Sequence, residues 1–350
     1  MKNSSNKSNI ENSKQKLKYS KNHYNFKNVF SIPLIFDQIM KFLEKDDIKY
    51  LSLCTKKIYQ LYCNQIKKLQ IKENVKILYT SKIMLDKYKN LVELNLEGCK
   101  YIKDYSFISK LEKLENLNLS YSNISDISFI IKNNNIKKLN LERCENIKDY
   151  SFISNLEKIE NLNLSWSTIS DISFLIKNYN IKELNLEGCK YIKDYSFISN
   201  LIKLENLNLS YSNISDISFL IKNNNIKKLN LERCENIKDY SFISNLQKLE
   251  NLNLFYSYIS DISFIIKNNN IKELNFEKCY NIQNYSFMSG LEKLEKLNLS
   301  YTDISDISFL IKNNNIKELN LSGCKKIKDY SFISNLEKLE NLNLSNSKYF

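Results

Sequence analysis

A repeat of 45 residues limits what this chain of 350 residues can fold into. The segment Leu94-Asn95-Leu96-Glu97-Gly98-Cys99 returns with small changes at every 45th residue, and a second L-x-L segment lies inside each unit. A coil of 22 or 23 residues cannot bury its own apolar face, so each coil must stack on its neighbour. The twelve copies begin at Leu94, Leu117, Leu139, Leu162, Leu184, Leu207, Leu229, Leu252, Leu274, Leu297, Leu319 and Leu342.

Each coil contains one strand pattern and one turn pattern. In L-x-L the side chains alternate, so the leucines point inward and the residue between them points outward. Parallel strands stacked at ~4.8 Å predict a sheet roughly 55 Å long. An aspartate such as Asp104 or Asp126 follows each strand and precedes a short apolar stretch, which predicts a short helix or 3-10 turn. One phenylalanine per coil, from Phe107 and Phe129 to Phe332, is predicted to form a spine in the core.

The two halves of the repeat resemble a known family over residues 91–350. One half reads L-x-x-L-x-L-x-x-C-x-x-I, from Leu91 to Ile102, and the other reads L-x-x-L-x-L-x-x-S-x-I, from Leu114 to Ile124. This resembles the leucine-rich repeat family, with the first half similar to its cysteine-containing subtype and the second to its 22-residue subtype. The resemblance implies an α/β solenoid, a right-handed horseshoe with a parallel concave sheet and short helices or 3-10 turns on the convex side. A weaker thirteenth copy is at Leu69-Gln70-Ile71.

Two polar positions recur beside the strands. The residue before each strand is a lysine in one half-repeat, as at Lys137, and a glutamate in the other, as at Glu115. Stacking is expected to pair these unlike charges and to help fix the register. Asparagine fills the outward position between the leucines at all twelve strands, from Asn95 to Asn343. We expect either a stacked amide ladder or the polar floor of a binding surface.

Six of the eight cysteines recur every 45 residues, from Cys99 to Cys324. Equivalent positions two coils apart lie ~10 Å from each other. A disulfide needs Cα atoms ~4.4–6.8 Å apart, and zinc needs four converging ligands. We therefore expect buried thiols that bond backbone groups, in a reducing compartment.

The composition argues against catalysis. There is one histidine, His23, and the four glycines are scattered turn residues that form no phosphate loop. Six near-identical acidic sites are a poor way to build one active site. We expect no catalytic residue, no cofactor and no metal.

The charge and hydropathy of the chain indicate which partners and which cellular location to expect. The net charge of +13 comes almost entirely from residues 1–90, so residues 91–350 are near neutral and nucleic-acid binding is not expected of them. Residues 1–28 have the composition of a disordered basic tail. No apolar run approaches the ~18 residues of a spanning helix and no signal peptide pattern is present, so the prediction is a cytoplasmic protein without a membrane partner.

Residues 29–65 carry apolar residues at helical spacing and are interpreted as a small all-α module. They resemble the F-box, which implies docking on the adaptor of a cullin–RING ubiquitin ligase. They depart from the F-box pattern in lacking the acidic residue that usually follows the proline. The alternative is a plain cap for the first coil. Residues 66–90 are read as a linker or first-coil cap, and residues 91–350 as the repeats. The adaptor-binding candidates are Ile32, Pro33, Ile39, Leu43 and Leu51.

Aromatic residues follow every second strand, and a glutamate column occupies the neighbouring coils. Because Tyr and Trp are common anchors of interfaces, this stripe is predicted to bind a target protein on the concave face, with the carboxylates favouring a basic segment. The chain is therefore read as a substrate receptor of a ubiquitin ligase or, alternatively, as a stand-alone protein-interaction scaffold. The partner-binding candidates are Tyr121, Trp166, Tyr211, Tyr256, Tyr301, Glu142, Glu187 and Glu232.

Overall fold

The computed structural model describes residues 66–70 and 88–347, and the elements below belong to the unit that begins at Lys67. The tail and the F-box-like module predicted for residues 1–65 lie outside the described residues, as do residues 71–87 of the segment read as a linker or cap.

Thirteen parallel strands form one sheet in chain order. Leucine faces leucine in every pair of neighbours, as in Leu117 against Leu139, so the apolar period sets the register. The strand predicted at Leu69 is present as β1 and pairs with β2. The strands are β1 Lys68–Gln70, β2 Glu93–Asn95, β3 Asn116–Asn118, β4 Lys138–Asn140, β5 Asn161–Asn163, β6 Glu183–Asn185, β7 Asn206–Asn208, β8 Lys228–Asn230, β9 Asn251–Asn253, β10 Glu273–Asn275, β11 Lys296–Asn298, β12 Glu318–Asn320 and β13 Asn341–Asn343.

The opposite side of each coil is a 3-10 helix of five residues, and no α-helix occurs within the described ranges. The aspartate predicted to cap each helix lies one residue before the N-cap position, which Tyr105 occupies in the first helix. Asp104 Oδ1 accepts a hydrogen bond from the Ser106 amide, which forms an Asx turn before the helix rather than a cap on it. The helices are Ser106–Lys110, Ser128–Lys132, Ser151–Asn155, Ser173–Lys177, Ser196–Asn200, Ser218–Lys222, Ser241–Asn245, Ser263–Lys267, Ser286–Gly290, Ser308–Lys312 and Ser331–Asn335.

The core runs through the stack as columns of leucine and isoleucine. Leu94 and Leu96 of the first full coil are completely buried, and equivalent positions repeat this along the chain. The phenylalanine spine is only partly in the core. Phe107, like five of its equivalents, is buried, whereas Phe129, Phe197, Phe242, Phe287 and Phe332 are half-buried. The 3-10 turn holds these rings at the outer margin of the coil, where stacking covers some of them incompletely.

The predicted charge ladder is confirmed as ion pairs between neighbouring coils. Lys182 lies 2.8 Å from Glu160, and four further pairs repeat this contact. The hydrogen bond from Lys182 lowers the pKa of Glu160, and the same bond raises the pKa of Lys182. The side chains are about half exposed, so the pairs favour the correct register more than they add stability.

The recurring cysteines are buried and bond backbone groups, as predicted. Cys144 Sγ donates to the Leu119 carbonyl at 3.1 Å and lies 3.7 Å from the Ser122 hydroxyl. The contact with the carbonyl of the preceding coil repeats at Cys189, Cys234, Cys279 and Cys324. Burial raises the pKa of Cys144 to about 11, so the protonated thiol is the form that the fold uses.

A second buried column was missed by the sequence analysis. Asn133 is fully buried, and its Nδ2 donates to the carbonyls of Ile108 and Leu111 in the preceding coil. The first residue of the recurring Asn-x-Asn-Ile segment carried this signal, but the segment reads as a polar loop. The same contacts repeat at Asn178, Asn223, Asn268 and Asn313.

Candidate binding groove and its rim

The sheet forms the floor of a groove of about 1330 Å³ that runs across the strands from β2 to β13. Its floor consists of the strand residues themselves: an outward residue, a leucine and an asparagine from each coil. The central leucine is buried from β2 to β12, so the polar flanking side chains make up most of the exposed surface there. This groove is a long concave surface, and its extended floor fits an elongated ligand.

The asparagine column of the floor is not a ladder of amide on amide. Asn118 Oδ1 accepts a hydrogen bond from the Ser120 amide, which closes the turn after β3. Its Nδ2 reaches a carboxylate oxygen of Glu97 in the preceding coil at 3.4 Å. The asparagine oxygen therefore closes the turn at the end of the strand, because the turn amide is its nearer donor. The asparagine amide group bonds a glutamate of the preceding coil and not another asparagine.

The aromatic candidates lie at the rim of the groove, in the turn where each strand ends, and not on its floor. Tyr121, Trp166, Tyr211, Tyr256 and Tyr301 all have φ between 55° and 58°. This left-handed conformation turns the chain out of the sheet directly after the strand, so the rings lie at the margin of the concave face and not over its strands. The tyrosines at 121 and 301 are exposed and the other three rings are half-buried.

Cations lie between several of these rings. The guanidinium of Arg143 is 5.7 Å from the ring of Tyr121 and 5.2 Å from that of Trp166. Arg233 lies 4.8 Å from the ring of Tyr256. Trp166 and Tyr211 meet directly, with ring centroids 5.8 Å apart. The rim is thus a nearly continuous column of rings and cations, which the sequence analysis missed because it assigned no role to the arginine position.

The carboxylates of the glutamate candidates accept hydrogen bonds from side chains of the rim and the floor within the same chain. The Tyr121 hydroxyl donates to Glu142 at 2.7 Å, and the Tyr211 hydroxyl donates to Glu232 at 2.8 Å. The bond to Glu142 raises the pKa of Tyr121. Glu187 follows a tryptophan coil, has no tyrosine hydroxyl beside it, and accepts from Asn208 at 3.3 Å.

The adaptor-binding candidates Ile32, Pro33, Ile39, Leu43 and Leu51 lie outside the described residues. Within residues 66–70 and 88–347, no group of three or more His, Cys, Asp or Glu side chains is arranged to hold a metal ion. No helix in the same ranges is long and apolar enough to span a membrane.

Comparison with protein families agrees with this architecture. The model for the BspA type leucine rich repeat region matches residues 57–193 and 157–283, which together make up about two thirds of the chain. The chain belongs to the leucine-rich repeat family. A second model, for leucine rich repeats in two copies, matches residues 292–335 of this leucine-rich repeat protein. No curated protein matches its sequence significantly.

Solved leucine-rich repeat structures share the fold. An internalin (inlF) from Listeria monocytogenes is 28% identical, with a TM-score of 0.68 over 82% of this chain and 83% of the internalin. A leucine-rich repeat protein of Leptospira interrogans is 20% identical, with a TM-score of 0.63 over 84% of this chain and 87% of that one. The plant peptide hormone receptor RGFR1, in complex with RGF2, is 16% identical, with a TM-score of 0.51 over 74% of this chain and 53% of the receptor.

Proposed function

We propose that this chain is a non-enzymatic receptor that binds a target protein along the groove and its aromatic rim. The observation that carries the proposal is the rim column, where Trp166, Tyr211 and Tyr256 remain partly exposed beside the 1330 Å³ groove. Such rings bury a large area at a small cost in conformational entropy, which makes them effective anchors. The shared fold adds support, because the internalin is 28% identical and the plant peptide hormone receptor of the same fold was solved in complex with RGF2.

The rigidity of the rim supports an anchoring role. Each ring is fixed by a neighbour in the next coil, as Tyr211 is by its hydrogen bond to Glu232 and by Arg233 at 5.6 Å. Anchors that are already ordered lose little freedom when a partner binds. A target protein could therefore bury most of its contact area against side chains of the receptor that are already ordered.

Peptide display on the wild-type chain would supply ligands with which to test this. We expect Trp166→Ala and Tyr211→Ala each to weaken the selected ligands by about 2 kcal/mol or more. Tyr179→Ala is the matched control, because Tyr179 is an equally large exposed ring on the convex side of its coil. Ligands that bind both rim variants as tightly as wild type would refute the proposal.

The finer proposal is that residues 29–65 recruit a ubiquitin-ligase adaptor, so that the groove selects a substrate. It is supported by the sequence Ile32-Pro33 with Ile39, Leu43 and Leu51, which resembles the F-box motif. A pull-down with the adaptor should retain the wild-type chain and lose the Pro33→Ala/Leu43→Ala variant. No retention of the wild-type chain would remove the ligase link and leave the stand-alone scaffold.

Localisation in the cytoplasm is part of the same proposal. The thiols of Cys144, Cys189 and Cys234 donate hydrogen bonds to backbone carbonyls, a role that needs the reduced, protonated form. A reducing compartment preserves that form.

A further inference from the structure

The groove floor carries a charge that changes sign at every second strand. From β2 to β10 the first residue of the even strands alternates between acid and base, while the odd strands β3, β5, β7 and β9 begin with asparagine. Charges of opposite sign are therefore ~10 Å apart along the floor, and charges of the same sign are ~19 Å apart. The alternating residues from β2 to β10 are Glu93, Lys138, Glu183, Lys228 and Glu273.

The two lysines of this series have no carboxylate at ion-pair distance within the part of the chain that the structure describes. Lys138 and Lys228 are exposed, whereas Glu93 at the end of the groove is paired with Lys68 at 2.7 Å. Glu183, midway between the lysines, is held by the amides of Asn161 at 2.6 Å and Asn206 at 3.2 Å. The floor thus presents two open cations with a fixed carboxylate between them.

The same two coils also carry the only arginines of the chain. The segments 137–148 and 227–238 are identical in sequence, so Lys138 is joined at the rim by Arg143 and Lys228 by Arg233. Both guanidinium groups are exposed, lie against aromatic rings and make no described hydrogen bond or ion pair within the protein. A guanidinium presents several N–H donors suited to a carboxylate, which adds to the attraction of these coils for acidic groups.

We propose that the groove recognises an extended protein segment with acidic side chains six residues apart and a basic side chain midway between them. An extended segment in the polyproline II conformation has three residues per turn and advances ~3.1 Å per residue, so every third side chain faces the floor and three residues span ~9.3 Å, close to the ~10 Å step between Lys138 and Glu183. The acidic residues of the segment lie opposite β4 and β8, and its basic residue lies opposite Glu183. The inference rests on the proposed function and names the chemistry of the target. It also changes the expectation of a basic segment to one in which acidic residues flank a basic one, because Lys138 and Lys228 lie on the same floor as Glu183.

The exchange variant Lys138→Glu/Glu183→Lys/Lys228→Glu tests the charge pattern with little risk to folding. Neighbouring copies of the repeat already hold Glu or Lys at this position, as Glu183 and Lys228 do. The matched control, Lys132→Glu/Glu157→Lys/Lys222→Glu, makes the same exchanges at exposed positions on the convex side.

Two labelled 13-residue peptides that differ only at three charged positions, where the signs are inverted, serve as probes in fluorescence anisotropy at low salt. One carries Glu at positions 4 and 10 and Lys at position 7, and the other carries Lys at 4 and 10 and Glu at 7. We expect wild type and the convex control to bind the first peptide at least tenfold more tightly, and the exchange variant to prefer the second. Both preferences should shrink at high salt.

Equal binding of the two peptides to wild type, failure of wild type to bind either one, or an unchanged preference in the exchange variant would overturn the inference. Its failure is distinguishable from failure of the proposed function. Displayed ligands that depend on Trp166 and Tyr211 but ignore the exchange would leave the receptor proposal standing and remove only the charge pattern.

Discussion

The indole of Trp166 lies directly on Gly188 of the next coil. A Cβ atom at Gly188 would be 2.6 Å from Cε3 of Trp166, and Gly188 itself has φ of +68°. Tyr301 covers Gly323 in the same way, with the ring 2.6 Å from a Cβ built there. Arginine or lysine at this turn position instead puts its cation beside the aromatic rings of the rim, so the residue there decides how each ring is held.

Gly188→Ala should therefore disturb the rim more than the same replacement at Gly290, which no ring covers. We expect a loss of about 1–2 kcal/mol in the free energy of unfolding from the left-handed backbone, with a further loss from the displaced indole. Because Trp166 is the single tryptophan, its emission should shift in the native state. Gly290→Ala is the control, since a Cβ there meets nothing within 4 Å. Equal denaturation midpoints and spectra for the two variants would contradict this account of the rim.

The buried thiols should resist modification in the native protein. In a Cys54→Ser/Cys63→Ser background, six cysteines remain, and all six are buried. Burial raises the pKa of Cys144 from 9.0 to about 11, which lowers its thiolate fraction near pH 8 about a hundredfold. A thiol reagent such as Ellman's should label the native protein slowly and all six thiols rapidly in guanidinium chloride. Rapid labelling of the native chain would mean that the coils open easily.

Acid should weaken the charge ladder. The lysine hydrogen bonds lower the pKa of Glu160, Glu250 and Glu295, so these carboxylates favour folding above their ordinary pKa of 4.5. That contribution is lost as the pH falls through the lowered folded-state pKa. We expect the urea midpoint of wild type to drop between about pH 6 and about pH 3, and to drop less in Glu160→Gln/Glu250→Gln/Glu295→Gln.

A control for the ladder is Glu112→Gln/Glu157→Gln/Glu292→Gln, which removes three exposed carboxylates that make no described ion pair. It should retain most of the wild-type pH dependence. If both triple variants behave alike, total charge and not the ladder governs the acid response.

Amide hydrogen exchange should differ in rate between two segments of identical sequence that lie in different coils. Residues 204–210 and 339–345 both read LENLNLS, so their intrinsic exchange rates are the same. Leu207 in β7 is 2% exposed, whereas Leu342 in β13 is 42% exposed at the edge of the sheet. In the 350-residue chain we expect amides near β13 to exchange much faster than those near β7. Equal protection in a monomer would show that an end coil needs no neighbour for stability.

The sequence determined the repeat architecture because its signals are local and periodic. The L-x-L period set the strands and their register, and the alternation of Lys137 with Glu115 predicted the ion pairs between coils. The cysteine spacing excluded disulfides and zinc by geometry and left the thiols to bond backbone groups, as Cys144 does with the Leu119 carbonyl. Each of these conclusions depends only on which residues recur and how far apart stacked coils must be.

Tertiary structure decided what lies beside what at the groove. Tyr121 and Glu142 are 21 residues apart, and only stacking of coils brings the hydroxyl within 2.7 Å of the carboxylate. The left-handed turn that places Trp166 at the rim depends on backbone hydrogen bonds between coils, such as that from the Trp166 amide to the Glu187 carbonyl at 2.7 Å. A linear pattern records which residues recur, but it does not record φ or the neighbours across coils. The open cations of the floor and the rings of the rim are therefore properties of the folded stack.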